Sequence, residues 1–183
     1  MKERKGALEL SIGTLVVIVL AMAMLILGLL LIQRIFEGAK YNVDTINNKV
    51  RDEINKLFSE ERQMVVYLAN NLAEIKQGDS WGVAFAVKNL ESGTVEAKKF
   101  TYATTIEDEN IKQKCGISSN EILKWIATGE TDSFSLPPGQ TSYRIVRLEV
   151  PKIAPLCTVR FNVEVKANGQ VYTSDFFDVK VKA

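Results

Sequence analysis

The sequence contains no histidine. That removes both the commonest general base and the commonest transition-metal ligand. It has only two cysteines, Cys115 and Cys157, too few and too far apart for a zinc site. It has no Asn-x-Ser/Thr triplet, so N-glycosylation at that motif is not expected. It also lacks a charge bias: 23 Lys and Arg stand against 22 Asp and Glu, a formal net charge of +1, so nothing overall favours nucleic acid as a partner. There is no nucleophile paired with a base, no phosphate loop and no paired carboxylates. No catalytic, cofactor-binding or metal-binding residue is assigned, and the expectation is a protein that is not an enzyme and carries no cofactor. The acidic run Glu107-Asp108-Glu109 offers oxygen ligands of the kind calcium takes, but no spaced acidic loop accompanies it, so it reads as a solvated loop. Tyr102, Trp125, Phe134 and Tyr143 have the spacing of packing residues.

What is present is one long apolar run. Residues 7–32 read ALELSIGTLVVIVLAMAMLILGLLLI, and from Ile12 to Ile32 there is no charge and nothing more polar than Thr14. About 20 apolar residues suffice for a helix to cross the ~30 Å hydrocarbon core of a bilayer. A helix is also the one single segment that satisfies its own backbone polar groups in lipid. The expectation is a basic cytoplasmic tail over 1–6, a transmembrane helix over 7–36 and a soluble remainder. Lys2, Arg4 and Lys5 precede the run, and Arg34, Glu37 and Lys40 follow it. This modest bias places the amino terminus inside and the rest of the chain outside the membrane. A cleaved secretory signal is disfavoured, because the run exceeds the ~7–15 residues of an h-region.

Past Phe36 the chain turns polar but keeps a helical period. Val43, Ile46, Val50, Ile54, Leu57, Met64, Leu68 and Leu72 recur at steps of three, four or seven, with charges between them. The expectation is an amphipathic stalk helix over 37–71, loosened at Gly38 and ended by Asn70-Asn71. Three covers suit its stripe: its own β domain, a coiled coil with sister chains, or the helical core of a filament. The domain suits the dense carboxyl half and self-association suits the amino half.

From Leu72 the period falls to two, and 72–183 reads as an antiparallel β-sandwich with a short inserted helix. Strands are expected at Leu72–Lys76, 82–88, Lys98–Thr105, 132–136, 142–150, 157–166 and Gln170–Lys182. Val159, Phe161, Val163 and Val165 face inward. Asn168-Gly169 predicts a two-residue hairpin. A phase slip near Phe176-Phe177 predicts a bulge there. Residues 119–127 predict a helix capped by Ser118 or Ser119. The fold class is therefore α+β, and seven or so short strands at this spacing suit a sandwich. Outside the cell a Cys115–Cys157 disulfide is the default. The loop it closes, roughly 42 residues, gives about 4 kcal/mol on the chain-entropy model. A redox-active or metal-binding pair is the rival.

Two resemblances follow. Arg4-Lys5-Gly6, then Ala7-Leu8-Glu9-Leu10-Ser11, then the apolar helix resembles the class III signal peptide of archaeal type IV pilin-like and archaellin-like proteins. It implies cleavage by a prepilin peptidase between Gly6 and Ala7, with the helix kept on the mature protein. Glu9 would then be the third mature residue, where archaellins favour glycine; bacterial pilins carry their glutamate at the fifth. The pattern of 72–183 is similar to the small immunoglobulin-like modules of archaeal surface proteins, without their Cys…Trp…Cys spacing. For Glu9 two roles stand: a carboxylate at headgroup depth near a helix amino end, or a charge partner for a neighbouring subunit's amino group. Two functions stand beside each other. One is a pilin-like structural subunit of a surface filament, homo-oligomeric through its amino-terminal helices. The other is a permanently anchored single-pass surface protein whose sandwich binds an envelope or partner component.

Overall fold

The structure, a computed structural model, describes residues 12–58, 61–91 and 96–183. Gly6, Ala7 and Glu9, and with them the leader and the inter-subunit pairing expected of them, lie outside the described residues. The chain forms two compact units, Met1–Ala39 and Lys40–Ala183.

Helix α1 (Ile12–Tyr41) supplies the described residues of the first unit and ends with Lys40 and Tyr41 of the second. No helix continues unbroken across 37–71. Helix α1 stops at Tyr41, residues 42–47 are irregular, and a separate helix, α2, covers only Asn48–Leu57. The Asn47 side chain accepts from the Val50 amide at 3.0 Å, satisfying a donor that a new helix start leaves open. The expected stalk fails again at Met64-Val65-Val66-Tyr67. That run is a strand, β1 (Met64–Tyr67), buried on both faces. A continuous apolar run of four fits a doubly covered strand as well as a buried helix, and two β-branched valines tip it toward strand.

Among the described residues eight strands follow β1. They are β2 (Leu72–Lys76), β3 (Ser80–Lys88), β4 (Lys98–Thr105), β5 (Ile126–Thr128), β6 (Thr131–Leu136), β7 (Thr141–Glu149), β8 (Thr158–Ala167) and β9 (Gln170–Lys182). Two short helices, α3 (Ile111–Cys115) and α4 (Ser119–Leu123), lie between β4 and β5. The expected helix over 119–127 is thus shorter, and Ile126 and Ala127 open β5 instead. Ser118 caps α4 as expected: its amide and hydroxyl both donate to Glu121 Oε2, at 2.8 and 2.7 Å.

The strands make two sheets, β1-β3-β7-β5 and β2-β9-β8-β4-β6. Among the described residues nine strands replace the expected seven or so, and the sandwich takes in β1, upstream of the expected boundary at 72. Nor is it wholly antiparallel, since β2 runs parallel to β9, with Leu72 opposite Asp178 and Lys76 opposite Lys182. The core between the sheets holds Phe85, Phe100, Phe161, Phe177 and Leu148. Phe85 meets Tyr102 edge-on across the two sheets at 5.0 Å. Asn168 and Gly169 both have positive φ, 49° and 86°, and form the tight β8–β9 turn expected of them. The bulge in β9 lies elsewhere than Phe176-Phe177. The register slips where Val165 faces Thr173 and Lys166 faces Val171, leaving Tyr172 as the extra residue. Phe176 and Phe177 simply face opposite sides of an intact strand.

A second, smaller core lies outside the first sheet. Val43 and Ile54 pack on Val65 and Tyr67 of β1 and on Ala84 and Ala86 of β3. Gly82, Ala84 and Ala86 alternate along the outward face of β3, so small residues make room for the Val43 segment and α2. The apolar side of the 43–54 stretch is therefore covered by its own domain, not by a sister helix.

Candidate functional site

Two regions of the described residues have no structural duty inside the fold, or more polar equipment than the fold needs. The first is α1. Its window Gly13–Leu30 is long and apolar enough to cross a membrane, and none of it is buried. At ~1.5 Å per residue such a 30-residue helix is about 45 Å long. Leu15, Val19, Met22, Met24 and Leu29 are all exposed, so no side of the window is shielded. A helix apolar all round requires lipid or other helices around it.

At the start of the second unit the chain is fastened to the sandwich. The Gly82 amide donates to Asn42 Oδ1 at 2.9 Å, and the Val43 amide donates to the Gly82 carbonyl at 2.8 Å. A Cβ on Gly82 would lie 1.8 Å from the Val43 carbonyl oxygen. Glycine is thus required here by the close approach of another backbone. Arg147 adds a hydrogen bond from its guanidinium to the Asp44 carbonyl.

Cys115 and Cys157 form a disulfide, with Cα atoms 5.5 Å apart. It ties the end of α3 to the start of β8 and leaves no free cysteine among the described residues.

The second region is a groove of about 560 Å³ on the outer side of β8 and β9, walled by the loop before α3. Glu107, Asp108, Lys114, Thr158, Arg160, Asn162, Phe176 and Asp178 line it. Strand alternation turns Arg160 and Asn162 outward. Arg160 lies 3.9 Å above the Phe176 ring and donates twice to Asp178, at 2.8 and 2.9 Å. The Asp178 hydrogen bonds raise the guanidinium pKa further above its ordinary value. Lys114 holds the Asp108 carboxyl below the usual range by a hydrogen bond, and the Asn110 amide adds to this. Asn162 donates to Glu107 at 3.1 Å. The charged groups are thus matched to one another within the groove. Among the described residues no three carboxylates or cysteines converge as metal ligands. Glu107 and Asp108, read from sequence as a solvated loop, are partnered loop residues. Glu109 is exposed.

Sequence reasoning missed the Asn42–Gly82 fastening and the Arg160–Phe176–Asp178 cluster. The first had a signal: a glycine inside a strand marks close backbone approach. The second had one too, since adjacent phenylalanines on a strand must send one ring outward.

No protein-family model matches the chain, and no curated protein does. Solved structures give distant likenesses. A family 123 glycoside hydrolase from Clostridium perfringens aligns over 73% of this chain at 18% identity and a TM-score of 0.41. This chain spans 24% of the length of that enzyme. A Niemann-Pick type C2 protein from Japanese carpenter ant aligns over 66% of this chain and 90% of its own, at 13% identity and a TM-score of 0.36. A chain of a cohesin–dockerin complex from Clostridium thermocellum aligns over 66% of this chain and 98% of its own, at 9% identity and a TM-score of 0.32. At these scores the likenesses carry no statement about what this chain binds or does.

Proposed function

We propose that this chain is a pilin-like structural subunit of an archaeal cell-surface filament, stored in the membrane through α1 and displaying its sandwich outside. One observation carries the reading: a bare apolar helix of filament-core length runs into a disulfide-stapled sandwich that holds no converging catalytic set among the described residues. The sheet order supports an immunoglobulin-like class for the sandwich. Position by position, β1-β3-β7-β5 corresponds to the A-B-E-D sheet, and β9-β8-β4 to G-F-C with β6 as the added edge. One connection departs from that pattern, because β5 precedes β6 in the chain. The disulfide supports an oxidising location for the domain. Processing after Gly6 by a prepilin peptidase would free Ala7 and leave Glu9 available to pair with a neighbour's amino group.

A permanently anchored surface protein is the second reading. It is favoured by the bulk of Leu15, Val16, Ile18 and Leu25 along α1, since helix contacts without lipid favour small residues. Mass spectrometry of the protein from native membranes, with electron microscopy of the sheared surface fraction, separates the two. A chain lacking 1–6 and present in filaments upholds the subunit reading. A chain that keeps 1–6 and never leaves the membrane fraction overturns it in favour of the anchor.

A further inference from the structure

The loop between β7 and β8, residues 151–156, holds two large apolar side chains outside the core. Ile153 is 92% exposed and Leu156 61% exposed, while Ala154 between them is buried. The loop is framed rigidly. The Ala154 amide donates to the Pro151 carbonyl and the Cys157 amide to the Pro155 carbonyl, both at 3.0 Å. The Gln77 side chain donates to the Ala154 carbonyl. The Gly78 and Val150 amides close the base on the Val150 and Asp79 carbonyls, at 2.9 and 3.0 Å. Two prolines and the Cys115–Cys157 disulfide finish the frame. With both polar groups of Ala154 engaged, the loop has no slack to turn Ile153 inward. Two apolar side chains held in water by such a frame are shaped for a partner that removes them from water.

Position selects the partner. The loop springs from the end of the sandwich where β3 begins, since Ser80 faces Glu149 at the base of the loop. The chain enters this unit at the same end, because Asn42 and Val43 bond to Gly82, two residues along β3. Tyr41, immediately before Asn42, is the last residue of α1. Lysines stand around the tip: Lys152 within the loop, and Lys76 at the end of β2, next to Lys182 of β9, whose ammonium is paired with Glu74. Asp79 and Glu149 line a groove at the base of the loop together with Pro151 and Lys152.

We propose that Ile153 and Leu156 dip into the headgroup–acyl boundary of the bilayer that carries α1, with Lys152 at phosphate depth. This rests on the membrane reading of α1. Apolar tips flanked by lysines bind the interface by burying apolar area while the ammonium groups meet anionic lipid. The loop would give the domain a reversible membrane contact of its own. It would also give the disulfide a second task, that of keeping the tip presented.

Photocrosslinking of the full chain in vesicles of phosphatidylcholine and phosphatidylglycerol tests this. A diazirine-bearing leucine analogue is placed at Ile153, at Val171 as another exposed apolar site, in the β8–β9 hairpin at the far end, or at Met24 in α1. The expected result is lipid adducts at Met24 and Ile153, several-fold above those at Val171. Adducts at Met24 with Ile153 no higher than Val171 overturn the loop contact and leave the anchor standing. Absence of lipid adducts at Met24 overturns the anchor reading and the loop proposal with it. Crosslinks from Ile153 to a second copy of the chain, in place of lipid, overturn the lipid assignment.

Discussion

The two sheets of the sandwich are built on different rules. The second sheet has one dry face and one wet face, and β8 shows it: Val159, Phe161, Val163 and Val165 are buried while Arg160 is exposed. The first sheet is dry on both faces over β1 and most of β3, because α2 and the segment at Val43 cover its outer side. The difference is written in composition. Where both faces are covered, the alternation of polar and apolar gives way to alternation of large and small. Val83, Phe85 and Val87 point into the sandwich, while Gly82 faces the Val43 backbone and Ala84 and Ala86 lie in the outer core with Val43 and Ile54. The outer layer is thereby part of the domain rather than a stalk attached to it.

The contrast can be broken by substitution. The largest effect belongs to Phe161→Ala, which empties a site stacked on Phe177 at 5.3 Å between the sheets. It should destabilise the domain by about 3–5 kcal/mol. Phe176→Ala, one position from Phe177 but on the wet face, should stay within the ~0.5–1 kcal/mol of an exposed cation–π contact. Chemical denaturation of the full chain in detergent measures both, and similar losses would erase the distinction between dry and wet faces. Next comes Ile54→Ala in the outer core. A loss of about 2–4 kcal/mol is expected, toward the lower part of the range because α2 can settle onto Ala84 and Ala86. A loss below about 0.5 kcal/mol, the level of an ordinary surface substitution, would show that the helical layer is not integral.

Gly82→Ala should cost about 1–3 kcal/mol, as overpacking does. Its specific mark is faster hydrogen exchange at the Val43 amide, whose acceptor is the Gly82 carbonyl. Unchanged exchange there would remove the close backbone approach as the reason for glycine. The smallest effect belongs to the edge of the second sheet. Hydrogen bonding from Lys182 holds the Glu74 carboxyl below its ordinary value of 4.5, with Lys180 contributing. A carboxylate with a depressed folded-state pKa adds stability above its unfolded value, and that stability is lost as pH falls through the folded value. Glu74→Gln should therefore matter by a few tenths of a kcal/mol at neutral pH, since solvent screens these pairs. It should flatten the stability curve below about pH 4.5. A variant effect that grows on acidification would contradict the sign.

The legibility of the fold divides along the same line. The second sheet was readable because each strand had water on one side: the inward set of β8, the Asn168-Gly169 turn and the Ser118 cap all follow from local rules. The first sheet was harder. Met64-Val65-Val66-Tyr67 has no alternation to mark it as a strand, and it follows a stretch with genuine helical spacing at Val43, Ile46, Val50 and Ile54. That spacing is real, but it spans an irregular segment and a ten-residue helix laid on the sheet. The Asn168-Gly169 turn fixes one end of β9, but the bulge at Tyr172 depends on pairing with β8, which local pattern does not encode. The groove at Arg160, Phe176 and Asp178 needs three side chains brought together by register. Strand alternation turns Arg160 outward and sends one of the two phenylalanines outward, but not to the same place. The disulfide was legible because two cysteines leave one intramolecular pairing.

An embedded helix carrying an oxidised sandwich on the outer side of the membrane is the central claim. The direct measurement is the intact mass of the protein extracted from native membranes into detergent with an alkylating reagent and no reductant. The account predicts a membrane-fraction protein with neither Cys115 nor Cys157 alkylated, its mass lower by two hydrogens than that of the reduced chain. A protein recovered without detergent, or one with both cysteines alkylated, would contradict it.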